Sequence, residues 1–484
     1  MVSQNPAIRP TGLESIIAVQ KSAVAGMRAV LRMRAMLAAA IVVALALTRS
    51  ATAHAATITV DSLTDTGAVL TCALRDAITA ANTMTAMNGC AAGTGNDTIR
   101  FSVTGTILLA STLPQVTDSR LTINGPTSPG ITIDGDNAVQ VMQVASGATL
   151  NLNRVTIYRG VSELLGGGVD NSGTLSVSNS TFSSNQSGNP EGGAIYNDGS
   201  LTVTNTTFYG NYARPFGSGR GGVGGAIAND GTMEITNSTF SGNFALASGG
   251  AIYNAGTLTV TNSTFSGNLT STAPLPGYGG GIQNFGSLTV TNSTFSGNGG
   301  GPGGGISNAS FASIKNTILA MSSGGLVPPS NCFGTIIDAG YNISDDSSCG
   351  FSATGSLNST DPKLDPAGLN NNGGPTQTIA LVVGSPAIDA IPLDSCTDQA
   401  GNPLTTDQRG FARPDAGEDI CDIGAYESQE TFAGQPRTPN CHGVSVSALV
   451  HEFGNMNAAA SALGFHSVNE LQDAIRAFCG PPHR

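Results

Sequence analysis

A repeat of roughly 25 residues occupies the middle of this 484-residue chain. Each copy opens on a Gly-Gly pair, carries an Asn before a short turn, and closes on the pattern Phe-x-x-Asn. A fixed period of this size is typical of solenoids, in which each copy forms a coil that buries its apolar side chains against the next. Five clear copies lie at 166–185, 192–211, 224–243, 249–268 and 279–298, and a decayed sixth begins at Gly303.

Three short β-prone segments occur in each copy, bounded by Gly, Asn or Asp-Gly turn signals. In the second copy they lie at 194–196, 201–203 and 206–208. No segment between them has helical periodicity, which excludes leucine-rich, ankyrin and tetratricopeptide repeats. The sequence therefore predicts an all-β fold, a right-handed parallel β-helix over residues 96–350 with its regular repeats at 166–310.

Alternation along each strand predicts which side chains face the interior of the solenoid. The predicted stacking pairs between the second and third copies are Ile195 on Ile227, Leu201 on Met233, Val203 on Ile235 and Phe208 on Phe240.

Two columns of asparagine recur at the corners of the predicted coils. Asparagine tolerates tight turns, and stacked amides can hydrogen-bond from one coil to the next. We therefore expect an amide ladder in each column. The first column is Asn197, Asn229, Asn254 and Asn284, and the second is Asn205, Asn237, Asn262 and Asn292.

All variation in repeat length falls at one corner. Between the Phe-x-x-Asn asparagine and the next Gly-Gly pair lie 6, 12, 5, 10 and 4 residues in successive copies. Insertions at one corner project from one face, where solenoids often bind ligands, although neutral drift at a tolerant corner is an equal alternative. The candidate ligand-binding residues in and beside the longer loops, 212–223 and 269–278, are Tyr209, Tyr212, Arg214, Arg220 and Tyr278.

The first 55 residues have the features of an export signal. Arg28, Arg32 and Arg34 precede the apolar run 35–47, and Ala53-His54-Ala55 offers a small-x-small cleavage site. A run of 13 residues is too short for a stable membrane span, which disfavours the alternative of a retained anchor. Removal of this segment leaves 14 basic against 31 acidic residues, a formal net charge of −17, which disfavours nucleic acid as a partner.

Eight cysteines fall into four local pairs without any Cys-x-x-Cys motif. An even number at short separations in an exported chain favours disulfides over a metal site. Pairing by proximity predicts Cys72–Cys90, Cys332–Cys349, Cys396–Cys421 and Cys441–Cys479.

Three segments resemble known families of exported proteins. The predicted helix TCALRDAITAAN at 71–82, with Thr71 as its N-cap and Asn82 as its stop, resembles the CSLREA motif at the N-terminus of exported β-helix proteins. The GGAI and Phe-x-x-Asn elements resemble the repeat of polymorphic outer-membrane proteins, which are adhesin-like. Residues 331–427, with NNGGPTQTIALVVGSPAIDA and DIGAYE, are similar to the choice-of-anchor Q region of secreted and cell-surface proteins.

The resemblances imply a pectin-lyase-like β-helix that is secreted or displayed on the cell surface. With the residue patterns they divide the chain into a signal peptide (1–55), an N-terminal cap (56–95), the β-helix (96–350), a choice-of-anchor Q-like region (351–427), a linker (428–440) and a helical tail (441–484). In the tail, helical spacing at 445–453 and 467–478 and a capping-box pattern at Ser467 and Glu470 predict two helices stapled by a disulfide.

The sequence favours binding over catalysis. Between residues 161 and 310 the only basic residues are Arg214 and Arg220, whereas polysaccharide lyases need an Arg or Lys base. Glycoside hydrolases need two carboxylates facing a cleft, and we interpret Asp198 and Asp230 as stacked turn residues. The preferred function is an adhesin-like scaffold without catalysis. A polysaccharide lyase or glycoside hydrolase is the alternative, and a purely structural envelope protein is a third.

The expected partner of a monomeric scaffold of this kind is an extracellular or cell-surface glycan or protein, with no stable membrane span after signal cleavage. No cofactor is required. One acidic group could bind calcium or form an internal ion-pair network with Arg409, and the network is the favoured interpretation. Its members are Asp407, Asp415, Asp419 and Asp422.

Overall fold

Four parallel sheets run along the axis of a right-handed β-helix. This is the architecture of a computed structural model that describes residues 55–128, 130–188, 191–214, 221–271, 277–324, 330–382, 384–415, 419–429, 440–462 and 465–480. Each regular coil contributes one strand in turn to sheets B, A, C and D, so that consecutive coils pair in parallel. The predicted fold class is confirmed, while the predicted signal peptide lies outside the described residues.

Sheets A and C are the longest, with 11 and 10 strands. The strands of sheet A are Thr57–Val60, Asp97–Phe101, Leu121–Asn124, Thr149–Asn153, Thr174–Ser178, Ser200–Thr204, Thr232–Thr236, Thr257–Thr261, Ser287–Thr291, Phe311–Lys315 and Ile337–Asp338. Those of sheet C are Gly105–Leu108, Ile131–Asp134, Val155–Tyr158, Thr181–Ser183, Thr207–Tyr209, Thr239–Ser241, Thr264–Ser266, Thr294–Ser296, Ile318–Ala320 and Ile343–Ser344.

Sheets B and D have 8 and 7 strands. Sheet B comprises Met142–Val144, Val169–Asn171, Ile195–Asn197, Ile227–Asn229, Ile252–Asn254, Ile282–Asn284, Ile306–Asn308 and Cys332–Phe333. Sheet D comprises Val161–Ser162, Gln186–Ser187, Tyr212–Ala213, Phe244–Ala245, Leu269–Thr270, Gly299–Gly300 and Ser323–Gly324. The expectation of three strands per coil was therefore wrong by one. Sheet D lies at the variable corner, and its two-residue strands are too short to give a visible alternation.

The predicted stacking of the core is confirmed. Parallel pairing places Ile195 beside Ile227 and Phe208 beside Phe240, and the Leu201–Met233 and Val203–Ile235 pairs are likewise in register. All eight side chains are buried. Each coil therefore supplies the apolar partner of the next, and the core is one continuous column.

Stacked phenylalanine rings form the part of this column that lies against sheet C. Successive ring centroids are 4.6 to 5.0 Å apart and the ring planes deviate by no more than 16°. Such ring contacts stabilise the fold beyond what the burial of each ring contributes. The members are Phe182, Phe208, Phe240, Phe265 and Phe295.

The first asparagine column forms the expected ladder. Each side-chain Nδ2 donates to the Oδ1 of the next asparagine over 2.6 to 2.7 Å, from Asn171 to Asn308. Asn197 and Asn229, in the middle of the ladder, are fully buried. The ladder satisfies amides that would otherwise be costly to bury.

The second column does not form a continuous ladder, which corrects the prediction. Its residues take left-handed turns, with φ from 46° to 52°. Asn205 donates to Asn179 over 3.3 Å, whereas Asn262 donates to the carbonyl of Thr406, which lies 144 residues away. The carbonyl of Thr406 therefore accepts the hydrogen bond that the sequence predicts for the asparagine of the next coil.

A second ladder occurs instead at the Phe-x-x-Asn asparagines, which the repeat pattern marks only by their spacing. The Nδ2–Oδ1 distances are 2.8 to 3.0 Å, and all five side chains are fully buried. Its members are Asn185, Asn211, Asn243, Asn268 and Asn298.

A helix at Leu74–Thr83 covers the N-terminal coil, and Leu74 and Ile78 pack in the same core as Ile58. Thr71 is not its N-cap, because Ala73 occupies that position and the Thr71 hydroxyl accepts from the N–H of Ala68. The helix stops at Met84, which has a left-handed backbone.

The first strand of sheet A precedes this helix and pairs with Asp97–Phe101, so the helix is an insertion between two strands of that sheet. Asn82, the expected stop, instead accepts from the N–H groups of Thr117 and Asp118 and fastens the helix to the following coil.

All four disulfides predicted from local spacing are present: Cys72–Cys90, Cys332–Cys349, Cys396–Cys421 and Cys441–Cys479.

Residues 361–429, which we call the cover, pack along sheet C. A two-stranded antiparallel sheet, Ile391–Pro392 with Ile420–Cys421, and a short 3₁₀ turn at Leu393–Ser395 lie within it. Ile391 and Ile423 of the cover share a core with Ile318 and Ile343 of sheet C.

The tail contains three helices, Cys441–Phe453, Met456–Ala462 and Val468–Cys479, around a small core of its own. Ser467 caps the last helix as predicted, because its hydroxyl accepts from the N–H of Glu470. No helix in the described part of the chain combines the length and apolarity needed to cross a membrane.

Candidate functional site

The strands of sheet B point one side chain per coil away from the core, and of these Ala228 and Gln283 are buried. In Ile195–Asn197 the first and third side chains are buried, and Tyr196 points outward. Since the coils are in register, the outward positions form one column. From coil to coil this column reads Asp170, Tyr196, Ala228, Tyr253 and Gln283.

Neighbouring positions extend this column into a wider surface. The residues after three of the ladder asparagines are Asp198, Asp230 and Phe285. Glu191 lies on the other side of the strand, in a bridge with Val223. We call this surface the acidic–aromatic strip, made of Asp170, Glu191, Tyr196, Asp198, Asp230, Tyr253 and Phe285.

Contacts across coils fix the aromatic rings of the strip. The Tyr196 hydroxyl donates to Asp230 Oδ2 over 2.8 Å. The rings of Tyr253 and Phe285 are tilted against each other, with centroids 5.6 Å apart, and Phe285 remains 51% exposed. Next to Tyr253, the buried Gln283 has an Oε1 without a hydrogen-bond partner among the described residues. The strip thus presents ordered rings beside polar acceptors.

Among the described residues, no carboxylate of the strip forms an ion pair. Burial raises the pKa of the Asp170 carboxyl to about 6, and the nearby Asp198 carboxylate adds to this shift. Burial, and then the charge of Asp230, raise the pKa of Glu191. Burial, followed by the hydrogen bond to Asp230, raises the pKa of Tyr196, which therefore stays a protonated donor. Every charge that shifts these pKa values belongs to an acidic side chain. Clusters of carboxyl groups with perturbed pKa values are typical of functional sites.

Sequence reasoning had explained Asp198 and Asp230 as turn residues and had not singled out Tyr196 or Tyr253. The recurring Ile-Tyr-Asn of the repeats was the available signal, because a strand residue between two buried neighbours must point outward.

The described residues predicted at the variable corner lie on different sheets, and their role in binding stays a prediction. Tyr209 lies on the outer surface of sheet C, and Tyr212 lies on sheet D, where its ring packs on Phe244 with centroids 5.7 Å apart. Tyr278 packs on Phe333, with centroids 5.8 Å apart, at the edge of sheet B. Arg214 is exposed after the strand of Tyr212, and Arg220 lies outside the described residues.

Two members of the acidic group near Arg409, Asp407 and Asp422, belong to a buried ion-pair network in the cover. Arg409 Nε donates to Asp407 Oδ2 over 2.8 Å, and its guanidinium lies 3.7 Å from the ring centroid of Tyr426. The oxygens of Asp407 also accept from the backbone N–H groups of Arg409 and Glu427. These oxygens face donors, as in a structural ion pair.

A second part of this network joins Asp422, Glu427 and Arg413. Arg413 Nε lies 3.0 Å from Glu427 Oε2, which also accepts from the N–H of Asp422. Burial, and then the charge of Glu427, raise the pKa of Asp422 well above its usual value. Burial raises the pKa of Glu427 to about 7, although Arg413 acts in the opposite direction.

Of the other residues proposed for calcium, Asp415 is buried and Asp419 is exposed. Across the described ranges, no three His, Cys, Asp or Glu side chains are placed to hold a metal ion. The described residues thus supply no set of metal ligands, and calcium binding by this group stays an untested prediction.

Comparison with known families supports the fold and leaves the activity open. The family model of the right handed beta helix region matches residues 143–356. This range contains the regular repeats and the whole acidic–aromatic strip, and it ends before the cover. No curated protein matches the chain.

Proposed function

We propose that the protein is a secreted or cell-surface scaffold of adhesin type that binds a glycan at the acidic–aromatic strip. The observation that carries the proposal is the placement of Tyr196, Tyr253 and Phe285 beside four carboxylates on a sheet whose coils are locked in register.

Each part of the strip suits a sugar polymer. Aromatic rings pack against the C–H faces of sugar rings, and ionised carboxylates accept hydrogen bonds from sugar hydroxyls. Tyr196 and Tyr253 are two coils apart, about 9.6 Å along the axis, so an extended chain can contact both. Since the hydrogen bond between Tyr196 and Asp230 already orders the surface, little conformational entropy is lost on binding.

Two further features support the proposal, one for the extracellular location and one for the kind of partner. Four disulfides lie within the described chain, which suits an oxidising compartment. The formal net charge of the full chain is −12, which disfavours binding to polyanions.

A glycan array with the purified protein tests this function. Tyr253→Ala and Asp230→Asn are expected to weaken binding to every glycan that the wild type retains. Phe311→Ala is the matched control, because Phe311 is 48% exposed on sheet A, away from the strip. Absence of binding to any glycan would overturn the proposal. If Tyr212→Ala abolished binding while both strip variants bound normally, the site would lie at the variable corner instead.

A glycoside hydrolase is the second candidate, favoured by one observation. Asp170, with a pKa of about 6, lies beside Asp198, and glycosidases pair a protonated carboxyl with an ionised one. Release of reducing ends from a bound glycan, abolished by Asp170→Asn and by Asp198→Asn, would establish hydrolysis. The strip contains no Arg or Lys, so a lyase reaction with a basic catalyst is disfavoured there.

A further inference from the structure

The outer face of sheet A carries an array of hydroxyl groups that the proposed function does not use. Five successive strands each point three side chains outward, and of these fifteen positions fourteen are Ser or Thr and one is Glu234. We call these positions the hydroxyl array. Its rows are Thr174, Ser176 and Ser178; Ser200, Thr202 and Thr204; Thr232, Glu234 and Thr236; Thr257, Thr259 and Thr261; and Ser287, Thr289 and Thr291.

Register gives the array two fixed repeats. Every strand pairs residue for residue with the next, so equivalent hydroxyls are about 4.8 Å apart between coils and about 6.8 Å apart along a strand. The ten threonines have β-branched side chains, whose restricted χ1 rotation holds the hydroxyl and methyl groups in place. The array is therefore ordered in two dimensions before any partner binds.

The array is mostly exposed or half-exposed, whereas a similar surface on sheet C is bonded to the cover. The cover reaches the last strand of the array, where Gln399 Nε2 donates to the carbonyl of Val290. On sheet C the cover hydrogen-bonds the outward hydroxyls of Thr239, Thr264 and Thr294. On sheet A, Thr202 and Thr232 are exposed and Thr259 is half-exposed, while Thr291, at the end of the array, is buried.

Charge distinguishes the array from the rest of the molecule. The chain has a formal net charge of −12, yet Glu234 is the single charged residue among these fifteen positions. A matching partner is uncharged, since a charged one would lose hydration without gaining an ion pair. The partner must also be periodic in two directions in order to match both repeats.

We propose that the hydroxyl array binds ice. Ice is an uncharged lattice whose oxygen atoms repeat at spacings close to both repeats of the array. Threonine hydroxyls donate and accept hydrogen bonds to water, and the ordered water between their rows can join the lattice. Glu234 interrupts the array because a carboxylate holds its own hydration shell. This activity is independent of glycan binding on sheet B.

Inhibition of ice recrystallisation and thermal hysteresis, measured with the purified protein, test this proposal. The wild type is expected to shape ice crystals and slow recrystallisation. Thr259→Lys places a charge in the array and is expected to reduce both effects several-fold. The control is Thr106→Lys, an exposed strand threonine on sheet C. Thermal unfolding followed by circular dichroism checks that both variants fold.

A gain of activity provides a second measurement. Glu234→Thr completes the array and is expected to strengthen both effects relative to the wild type. If neither the wild type nor Glu234→Thr affects ice, the proposal is wrong. It is also overturned if Thr259→Lys and Thr106→Lys behave alike, or if the array binds crystalline cellulose or chitin without affecting ice.

Discussion

The hydroxyl of Thr264 donates to the side-chain oxygen of Gln408 over 2.6 Å, and 144 residues separate the two along the chain. Gln408 is fully buried, and its Nε2 donates to the hydroxyls of Thr239 and Thr376 at 2.9 Å each. One side chain thus joins two coils of sheet C to two segments of the cover.

Gln408→Ala should destabilise the contact between the cover and sheet C. It leaves the buried hydroxyl of Thr264 without its acceptor, and such a group costs about 1–3 kcal/mol. The hydroxyls of Thr239 and Thr376 lose a donor but still donate to backbone carbonyls. We expect a loss of about 3 kcal/mol in the free energy of unfolding, measured by urea denaturation. Gln115→Ala, at an exposed position, is the control. Equal urea midpoints for the two variants would contradict this role of Gln408.

The two asparagine columns should respond differently to mutation. Asn229→Ala breaks a buried ladder and leaves the Nδ2 of Asn197 without its acceptor, for an expected loss of about 2–4 kcal/mol. Asn237 has φ near 52°, a conformation that glycine adopts without strain, so Asn237→Gly should change stability little. Thermal unfolding of both variants checks this order, and a larger effect at Asn237 would show that its amide matters more than its backbone.

Stability should fall with rising pH because of Glu427. Its pKa is about 7 in the folded protein and near 4.5 ordinarily, so the folded state holds the proton more tightly. The stabilisation is complete below pH 4.5 and is lost as the pH rises through 7. Compared with Glu427→Gln, the wild type should therefore lose stability over this range in urea unfolding. Glu234→Gln, at an exposed glutamate, should follow the wild type. A constant difference between wild type and Glu427→Gln would disprove the linkage.

The Cys396–Cys421 disulfide should stabilise the cover. It closes a loop with a sequence separation of 25 residues, for which chain entropy gives about 3 kcal/mol. The double variant Cys396→Ser/Cys421→Ser should be cleaved faster by limited proteolysis within residues 361–429. The matching double variant at Cys441 and Cys479 should leave cleavage of the cover unchanged. If both double variants exposed the cover equally, the effect would not be local.

The candidate site was only partly predictable. The repeat revealed that Asp198 and Asp230 occupy equivalent turns, yet turn chemistry alone explained them. The hydrogen bond from Tyr196 to Asp230 depends on the offset between a strand position in one coil and a turn position in the next. That offset follows from the path of each coil, which residue types do not specify.

By itself, the sequence determined the solenoid, its inward residues, one asparagine ladder and the four disulfides. These features connect neighbouring coils or nearby cysteines, so they recur at the repeat spacing or lie close in the chain. Only the tertiary structure decided that the cover lies on sheet C and that Asn262 bonds Thr406. The physical reason is that contacts between segments more than a hundred residues apart have no period, and are selected by which polar groups can be satisfied once the coils are stacked.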